Sequence, residues 1–175
     1  MSEANEPVRI VSYDPLWPAR FEEERRLIEA TLGPWITGGV HHVGSTAVPG
    51  LAAKPTIDIL VGVTALEAAR PCIELLSKID YCYWPYRPEI MHWFCKPSAV
   101  RRTYHLHMME DAGSEWRARL AFRDFLRLHP ETAAEYEQLK RRLALIYEHD
   151  REAYTDGKEA LVRSVVMRAL ADRSR

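Results

Sequence analysis

An excess of charge of one sign, paired cysteines and long apolar runs are all missing from this sequence. The 24 basic residues nearly balance the 25 acidic ones, for a formal net charge of −1, so the chain lacks the basic excess typical of nucleic-acid-binding proteins. Three cysteines without a CxxC motif argue against a disulfide framework and against a thiolate zinc site. No stretch approaches the length of a membrane span, and the polar first residues carry no apolar signal core. We therefore expect a cytoplasmic protein with neither a membrane nor a nucleic-acid partner.

What is present is the composition of an ordinary globular protein. Of the 175 residues, 47% are hydrophobic and 28% are charged. A chain of this length can bury a core of its own, and no repeat or linker interrupts it. The sequence thus predicts a single α+β domain over residues 1–175, sheet-rich over 8–110 and helical over 114–174.

Hydrophobic periodicity and turn residues predict where the strands and helices lie. The predicted strands cover residues 8–13, the segment that runs into Gly44, and residues 56–63, 81–84, 91–95 and 103–109, the last three as a meander beside the first strands. Helices are predicted over 18–32 and 65–79, and Pro71 either kinks the second helix or marks its first turn. After residue 114 the pattern predicts three helices, with breaks near Pro130 and Gly157.

The most informative segment joins a Gly-Ser turn to a strand that contains an acid. Gly44 allows the backbone to approach an anion closely, and Ser45 and Thr46 offer hydroxyl and backbone N–H groups. Lys54 lies in the following loop, where its ammonium could meet a phosphate. Asp58 lies in an apolar, β-branched run, and a carboxylate there must pair, bind a metal or face a wet cleft. The segment thus has the residue types expected for one half of an active site.

One residue departs from the pattern that two-metal chemistry needs. Phosphoryl and nucleotidyl transfer by two metals uses carboxylates that hold the ions about 4 Å apart. Residues two apart on a strand point to the same face, so a partner acid for Asp58 would be expected at position 60. That position holds Leu60.

Motifs along nearly the whole chain resemble those of the GrpB family, which belongs to the nucleotidyltransferase superfamily typified by DNA polymerase beta. The longest is HVGSTAVPGLAAKP over residues 42–55, followed by Asp58. The others are YDPLW over 13–17, HLH over 105–107, FRDFLR over 122–127 and YTDGK over 154–158. The resemblance implies an α+β fold with a mixed or antiparallel nucleotidyltransferase-type sheet, flanking helices and a helical C-terminal third.

The resemblance also implies roles for single residues. Gly44 and Ser45 would contact nucleotide phosphates, and Asp58 would bind the catalytic metal. The superfamily places a further acid on a later strand, where this chain has His105 and His107 on one face. If that face meets Asp58, the resulting set of one carboxylate and one or two imidazoles suits Mn²⁺, Zn²⁺ or Fe²⁺ better than Mg²⁺.

The function implied by the resemblance is metal-dependent nucleotidyl transfer from a nucleoside triphosphate to an unknown acceptor. The implied cofactor is a divalent metal, Mg²⁺ or Mn²⁺ with Zn²⁺ as an alternative, and His105 or His107 would activate the acceptor as a base. The phosphate-binding candidates are Gly44, Ser45, Thr46, Lys54, Arg123 and Lys158.

A binding module is the alternative, because Leu60 replaces the second acid. Such a module would hold a nucleotide or another phosphorylated small molecule without turnover. GrpB domains also occur fused to dephospho-CoA kinase, which links this alternative to coenzyme A metabolism. The chain has no GxxxxGK[ST] P-loop and so is not itself that kinase.

Structural roles for the same residues stay open at this point. Asp58 could pair with Lys54, Arg101 or Arg102, and the two histidines of the HLH motif could form a structural pair. Three arginines at helical spacing form a basic stripe whose usual place is a solvated face: Arg119, Arg123 and Arg127. Four aromatic residues could stack on a base or pack in the core: Trp84, Tyr86, Trp93 and Trp116.

Overall fold

A computed structural model describes residues 6–172. Its sheet contains the strands β1 (Gly39–Val43), β2 (Ile57–Val63), β3 (Cys82–Trp84), β4 (His92–Pro97) and β5 (Arg102–Glu110) in the order β1-β2-β5-β4-β3. Only the β2–β5 pair among them is parallel. The expected α+β class with a mixed sheet is confirmed, and so is the predicted meander of the last three strands.

The helices of the described residues are α1 (Trp17–Leu32), α2 (Pro71–Ser77), α3 (Ser114–Leu128), α4 (Pro130–Ile146), α5 (Arg151–Asp156) and α6 (Glu159–Asp172). Pro71 begins α2, as one of the two predictions for it stated. The C-terminal region has one more helix than predicted, because the chain leaves α4 at Tyr147 and starts again at Asp150. The Asp150 side chain accepts hydrogen bonds from the backbone N–H groups of Glu152 and Ala153, which caps α5.

The strand predicted over residues 8–13 is wrong. This segment makes a single antiparallel bridge, in which the backbones of Val11 and Ala53 exchange hydrogen bonds of 2.9 and 3.0 Å. An antiparallel ladder would continue two residues further along the partner, at Pro55, which has no N–H to donate. The bridge therefore does not grow into a strand.

The two faces of the sheet have different coverings. Alternate residues of β2, among them Ile57, Ile59 and Val61, face α1 and α2 in the main core with Leu106 of β5. The opposite face carries Asp58 and Leu60, and α3 covers part of it through Trp116. The candidate site thus lies on the face away from α1 and α2.

The helices after residue 114 hold the loop between β1 and β2 in place. Val48 and Leu51 pack into a second core with side chains of α3, α4 and α6. On α4, Glu137 accepts a hydrogen bond from the backbone N–H of Ala52, and the buried Lys140 donates one to the carbonyl of the same residue. These two hydrogen bonds hold the segment that carries Lys54 toward Asp58.

Among the described residues no helix is both long enough and apolar enough to cross a membrane.

Candidate functional site

Asp58, His105 and His107 meet on one face of the sheet, as the alternation of the sequence predicts. In the parallel β2–β5 pair, Asp58 is the register partner of His105, and Leu60 is the partner of His107. His105 Nδ1 lies 3.1 Å from Asp58 Oδ1, and His107 Nε2 lies 3.6 Å from the same oxygen. The Asp58 side chain keeps 28% of its surface exposed, so the cluster has an opening to solvent.

The environment sets the ionisation of this cluster. Burial by itself would raise the pKa of Asp58, but the hydrogen bond from His105 and the nearby ring of His107 bring it well below its ordinary value. Burial lowers the pKa of His105 despite its bond to Asp58. Burial and the charge of Arg119 lower the pKa of His107 to about 4. At neutral pH the cluster therefore holds an ionised carboxylate and neutral imidazoles, the forms that bind metal ions.

The Gly44 turn lies directly against Asp58. β1 ends at Val43, the register partner of Asp58, and Gly44 follows with φ of +71°. A Cβ atom at position 44 would be 3.0 Å from the Cβ of Asp58. Glycine is thus needed both for the backbone conformation and for the close approach. The Ser45 side chain is hydrogen-bonded to the Tyr136 hydroxyl of α4.

Thr46, another member of the predicted phosphate-binding set, has a buried side chain that is hydrogen-bonded within the protein. It is 1% exposed, and its hydroxyl lies 2.9 Å from His42 Nε2 and donates to the carbonyl of Thr56 at 3.3 Å. These bonds tie the turn to the start of β2. Thr46 is left with its backbone N–H as the group to offer a ligand.

Three cations interact electrostatically with the carboxylate of Asp58, and the sequence analysis named two of them as phosphate-binding candidates. Burial lowers the pKa of Lys54 and that of Lys158 to about 8, while the charge of Asp58 opposes the change in both. Lys158 Nζ stands 4.2 Å from the centre of the Tyr154 ring. Arg119 of α3 is the third, and it too interacts with the charge of Asp58. With neutral histidines, the site has more positive than negative charge and suits an anion.

Arg119 was missed as a site residue, since its helical spacing had assigned it to a solvated stripe. Its Nε is buried and has no hydrogen-bond partner in the described part of the chain. The same holds for Nε2 of His105 and Nδ1 of His107. Buried polar atoms without partners are rare, and here three of them lie around one carboxylate.

Arg123 makes its contacts with β1 and within α3. Its guanidinium donates to the carbonyl of His42 at 3.1 Å and pairs with Asp124 at 2.7 Å. With Arg127 it lines a cavity of about 410 Å³ between α1 and β1. A second cavity, of about 570 Å³, lies between the loop after β1 and α4. Asp58 lines neither of them.

The donors of the cluster fit a divalent metal of the softer class. One ligand atom each from Asp58, His105 and His107 can be chosen so that all three lie within 4.8 Å of one another. Two imidazoles and one carboxylate are a set that binds Mn²⁺, Fe²⁺ or Zn²⁺. Leu60 has no side-chain oxygen to offer a metal. It is fully buried in an apolar cluster with Trp93 and Trp116. Ion pairing of Asp58 with Lys54, Arg101 or Arg102 is not found in the described residues, where the side chains within 4 Å of its carboxylate oxygen Oδ1 include the neutral imidazoles of His105 and His107.

Comparison with known proteins gives the family of this chain. A UPF0157 protein of Pseudomonas aeruginosa is 39% identical over 169 residues, which cover 94% of this chain and 68% of that protein. The crystal structure of the conserved protein GrpB from Enterococcus faecalis matches with a TM-score of 0.87 and 32% identity, over 95% of this chain and all of that one. A dephospho-CoA kinase of Mycolicibacterium paratuberculosis is 32% identical over 194 residues, and the match spans 95% of this chain but 47% of the kinase. The family model described as GrpB protein matches residues 7–168, and the chain belongs to the GrpB family.

Proposed function

We propose that the cleft at Asp58 binds a nucleoside triphosphate with a divalent metal and transfers its nucleotidyl group to an acceptor. The observation that supports this most directly is the packing of the Gly44 turn on Asp58, beside two histidines. The turn and the cations would bind phosphate oxygens, and the carboxylate with the histidines would hold the metal.

Each group of residues has a distinct task in this proposal. Lys54, Lys158 and Arg119, which already interact with the charge of Asp58, would offset the negative charge of the phosphates. The Ser45 hydroxyl and the N–H groups of the turn donate to phosphate oxygens. The metal, when bound, would polarise the phosphoryl group under attack.

The proposal gives the two histidines different roles. A ring nitrogen that binds a metal no longer has a lone pair with which to accept a proton. His105 donates from Nδ1 to Asp58, which leaves a lone pair on its buried and unpartnered Nε2. If His107 serves with Asp58 as a metal ligand, His105 is then the candidate base for the acceptor.

A binding module is the second candidate, and Leu60 is the observation that favours it. The side chain at the position of the missing acid is fully buried in the apolar cluster under α3. A ligand could then be held at the cleft without turnover. The likeness to a protein named dephospho-CoA kinase makes a phosphorylated ligand of coenzyme A metabolism the first to test for this candidate.

Thermal unfolding of the wild type and of Asp58→Asn tests the proposal. Each of the four common ribonucleoside triphosphates would be added with Mg²⁺, Mn²⁺ or Zn²⁺. A ligand at a hundredfold excess over its Kd stabilises by about 2.7 kcal/mol, which raises the Tm of a chain of this size by about 5 to 11 °C. We expect a metal-dependent rise that Asp58→Asn loses. Asp172→Asn, the same change at an exposed position, serves as the control.

The outcomes separate the two candidates. A rise followed by release of pyrophosphate on addition of a cell-extract acceptor fraction supports transfer. A rise without pyrophosphate release under any condition supports the binding module. If no triphosphate raises the Tm with any of the three metals, the proposal is wrong.

A further inference from the structure

The sheet face that carries Asp58 continues sideways to an aromatic edge. In the register of the sheet, His107 of β5 is opposite Trp93 of β4, and Trp93 is opposite Trp84 of β3. Directly opposed residues of neighbouring strands point to the same face. Trp84 therefore lies on the face of Asp58, at the edge of the sheet that β3 forms.

Two aromatic side chains at this edge are left open to solvent. Trp84 is 58% exposed and Tyr86 is 50% exposed, whereas Trp93 and Trp116 are buried at 8% and 6%. The structure thus separates the four aromatic candidates into two core residues and two surface residues. The backbone N–H of Tyr86 donates to the carbonyl of Trp84 at 2.8 Å, which makes a tight turn directly after β3. Large aromatic surfaces kept in water are typical of binding sites.

Side chains of neighbouring strands connect this edge to the cluster at Asp58. His105, bonded to Asp58, has its ring 5.1 Å from that of Trp93, the register partner of Trp84. On α3, the charge of Arg119 is in electrostatic range of Asp58 and Glu115 and, more weakly, of Arg87 and Tyr86. The carboxylate and the aromatic edge therefore belong to one connected face of the sheet.

The two ends of this sheet face differ in chemistry, and the distance between them is comparable to the length of a nucleotide. Three strand spacings of about 4.8 Å separate β2 from β3, or about 14 Å. One end offers cations and metal ligands, and the other offers exposed aromatic faces. A nucleotide has the matching halves, with charged phosphates at one end and a flat π-system at the other.

We propose that Trp84 and Tyr86 stack on the base of the nucleotide whose phosphates lie at Asp58. This inference rests on the proposed function, and it names the part of the substrate that the function leaves open. Stacking on an aromatic side chain tolerates any base, because every base has a π-face. The site is therefore a general nucleotide site with a preference for the larger purine rings.

The experiment compares two ligands that differ in having a base. Affinities of ATP and of inorganic triphosphate, each with Mn²⁺, would be measured by calorimetry on the full chain. The site variants are Trp84→Ala, Trp84→Phe and Tyr86→Ala. Leu145→Ala is the matched control, at a side chain on α4 that is 86% exposed. Loss of one stacking partner is expected to weaken ATP binding about 5- to 140-fold. Trp84→Phe is expected to keep most of the affinity, and inorganic triphosphate is expected to bind all variants equally.

The comparison distinguishes failure of this inference from failure of the proposed function. If Trp84→Ala binds ATP as the wild type does, and Tyr86→Ala does too, the aromatic edge has no part in binding and the inference is overturned. The same conclusion follows if Trp84→Ala weakens inorganic triphosphate as much as ATP. If the wild type binds neither ligand, the proposed function itself fails.

Discussion

Gly44 and Asp58 approach each other so closely that no side chain can stand between them. A Cβ atom built on Gly44 would lie 3.0 Å from the Cβ of Asp58 and nearer still to its carboxylate oxygen Oδ2. The backbone at Gly44 also has a φ of +71°, which L-residues with side chains rarely adopt. The turn and the carboxylate are thus one structural unit.

Gly44→Ala is expected to cost more stability than its backbone conformation alone explains. Gly50→Ala is the matched control, since Gly50 has a φ of +79° but nothing within 4 Å of an added Cβ. A positive φ at a residue with a Cβ atom costs each variant about 1–3 kcal/mol. The clash with Asp58 adds the cost of overpacking, about 1–3 kcal/mol, to Gly44→Ala alone. Equal unfolding free energies of the two variants in urea would show that the contact with Asp58 is not tight.

Leu60→Asp is expected to destabilise the protein rather than simply restore a metal ligand. Leu60 is fully buried, and a carboxylate there has apolar neighbours such as Trp93 and Trp116. Replacing a core leucine costs about 2–5 kcal/mol, and the buried charge adds to it. Position 60 shares a face with Asp58, so the new carboxylate could bind Mn²⁺ together with Asp58. Added Mn²⁺ is therefore expected to restore part of the lost stability.

Leu60→Asn separates the two effects, since it has a similar shape and no charge. The rise in Tm on adding Mn²⁺ is expected to be larger for Leu60→Asp than for Leu60→Asn. Equal rises would mean that the site cannot use a second acid. Full stability of Leu60→Asp in urea without metal would contradict the apolar packing of this position.

The meeting of Asp58 with His105 and His107 could be predicted because it depends on short-range rules. Alternation fixes which side chains of a strand share a face, and family resemblance brings the two strands together. The strand predicted over residues 8–13 depended instead on its partner. Periodicity within the segment carries no information about Pro55, which ends the ladder from the other side.

The arginines of α3 show where helical periodicity stops being informative. Arg119 and Arg123 share a helix face, so helical periodicity predicts the same environment for both. Four residues also advance about 6 Å along the axis, which is enough to move from one side of β1 to the other. Arg119 therefore faces the cleft at Asp58, while Arg123 bonds to the carbonyl of His42. The position of α3 is set by tertiary contacts such as those of Trp116.

His42 is expected to make the fold sensitive to mild acid. Burial lowers its pKa to about 4, and it is stacked on Phe21 at a centroid distance of 4.8 Å. An unfolded histidine has a pKa of about 6.5, so below that pH protonation favours the unfolded chain. The contribution of neutral His42 to the free energy of unfolding is complete above pH 6.5. It is lost as the pH falls toward 4, and the loss reaches about 3 kcal/mol.

Urea unfolding of the wild type and of His42→Gln between pH 7 and pH 4 measures this contribution. The glutamine amide retains a donor for the hydroxyl of Thr46 but does not titrate. The wild type is expected to lose more stability than the variant over this range. Parallel pH profiles for the two proteins would assign the acid sensitivity to other groups.

His105 and His107 are expected to give the site a preference for Zn²⁺ and Mn²⁺ over Mg²⁺. Imidazole nitrogens bind these ions well, whereas Mg²⁺ selects oxygen ligands. Calorimetric titration of each metal into the wild type, His105→Ala, His107→Ala and the exposed control His149→Ala measures the preference. Loss of a ligand is expected to weaken Zn²⁺ binding more than about 100-fold, beyond the effect of losing a residue that only orients a ligand. Unchanged metal affinity in both site variants would show that the pair is structural.

Arg119 is expected to contribute to binding and not to stability. Its Nε is buried without a partner in the described residues, and its charge helps to lower the pKa of His107. A buried cation with an unpaired N–H is costly for the folded chain, so Arg119→Met should unfold at a urea concentration equal to or above that of the wild type. The same change removes a charge-assisted hydrogen bond to phosphate, worth about 1.5–3 kcal/mol.

Binding of inorganic triphosphate to Arg119→Met and to Arg117→Met therefore separates a functional from a structural arginine. Arg117 lies on the same helix but is exposed and donates to the carbonyl of Ala112 at 2.8 Å. Arg119→Met is expected to bind about 10- to 140-fold more weakly than the wild type, while Arg117→Met binds as the wild type does. NMR titration should also show the pKa of His107 rising above about 4 in Arg119→Met, because a nearby positive charge has been removed. A large loss of stability in Arg119→Met with unchanged affinity would mean that this arginine holds α3 on the sheet and does not bind the ligand.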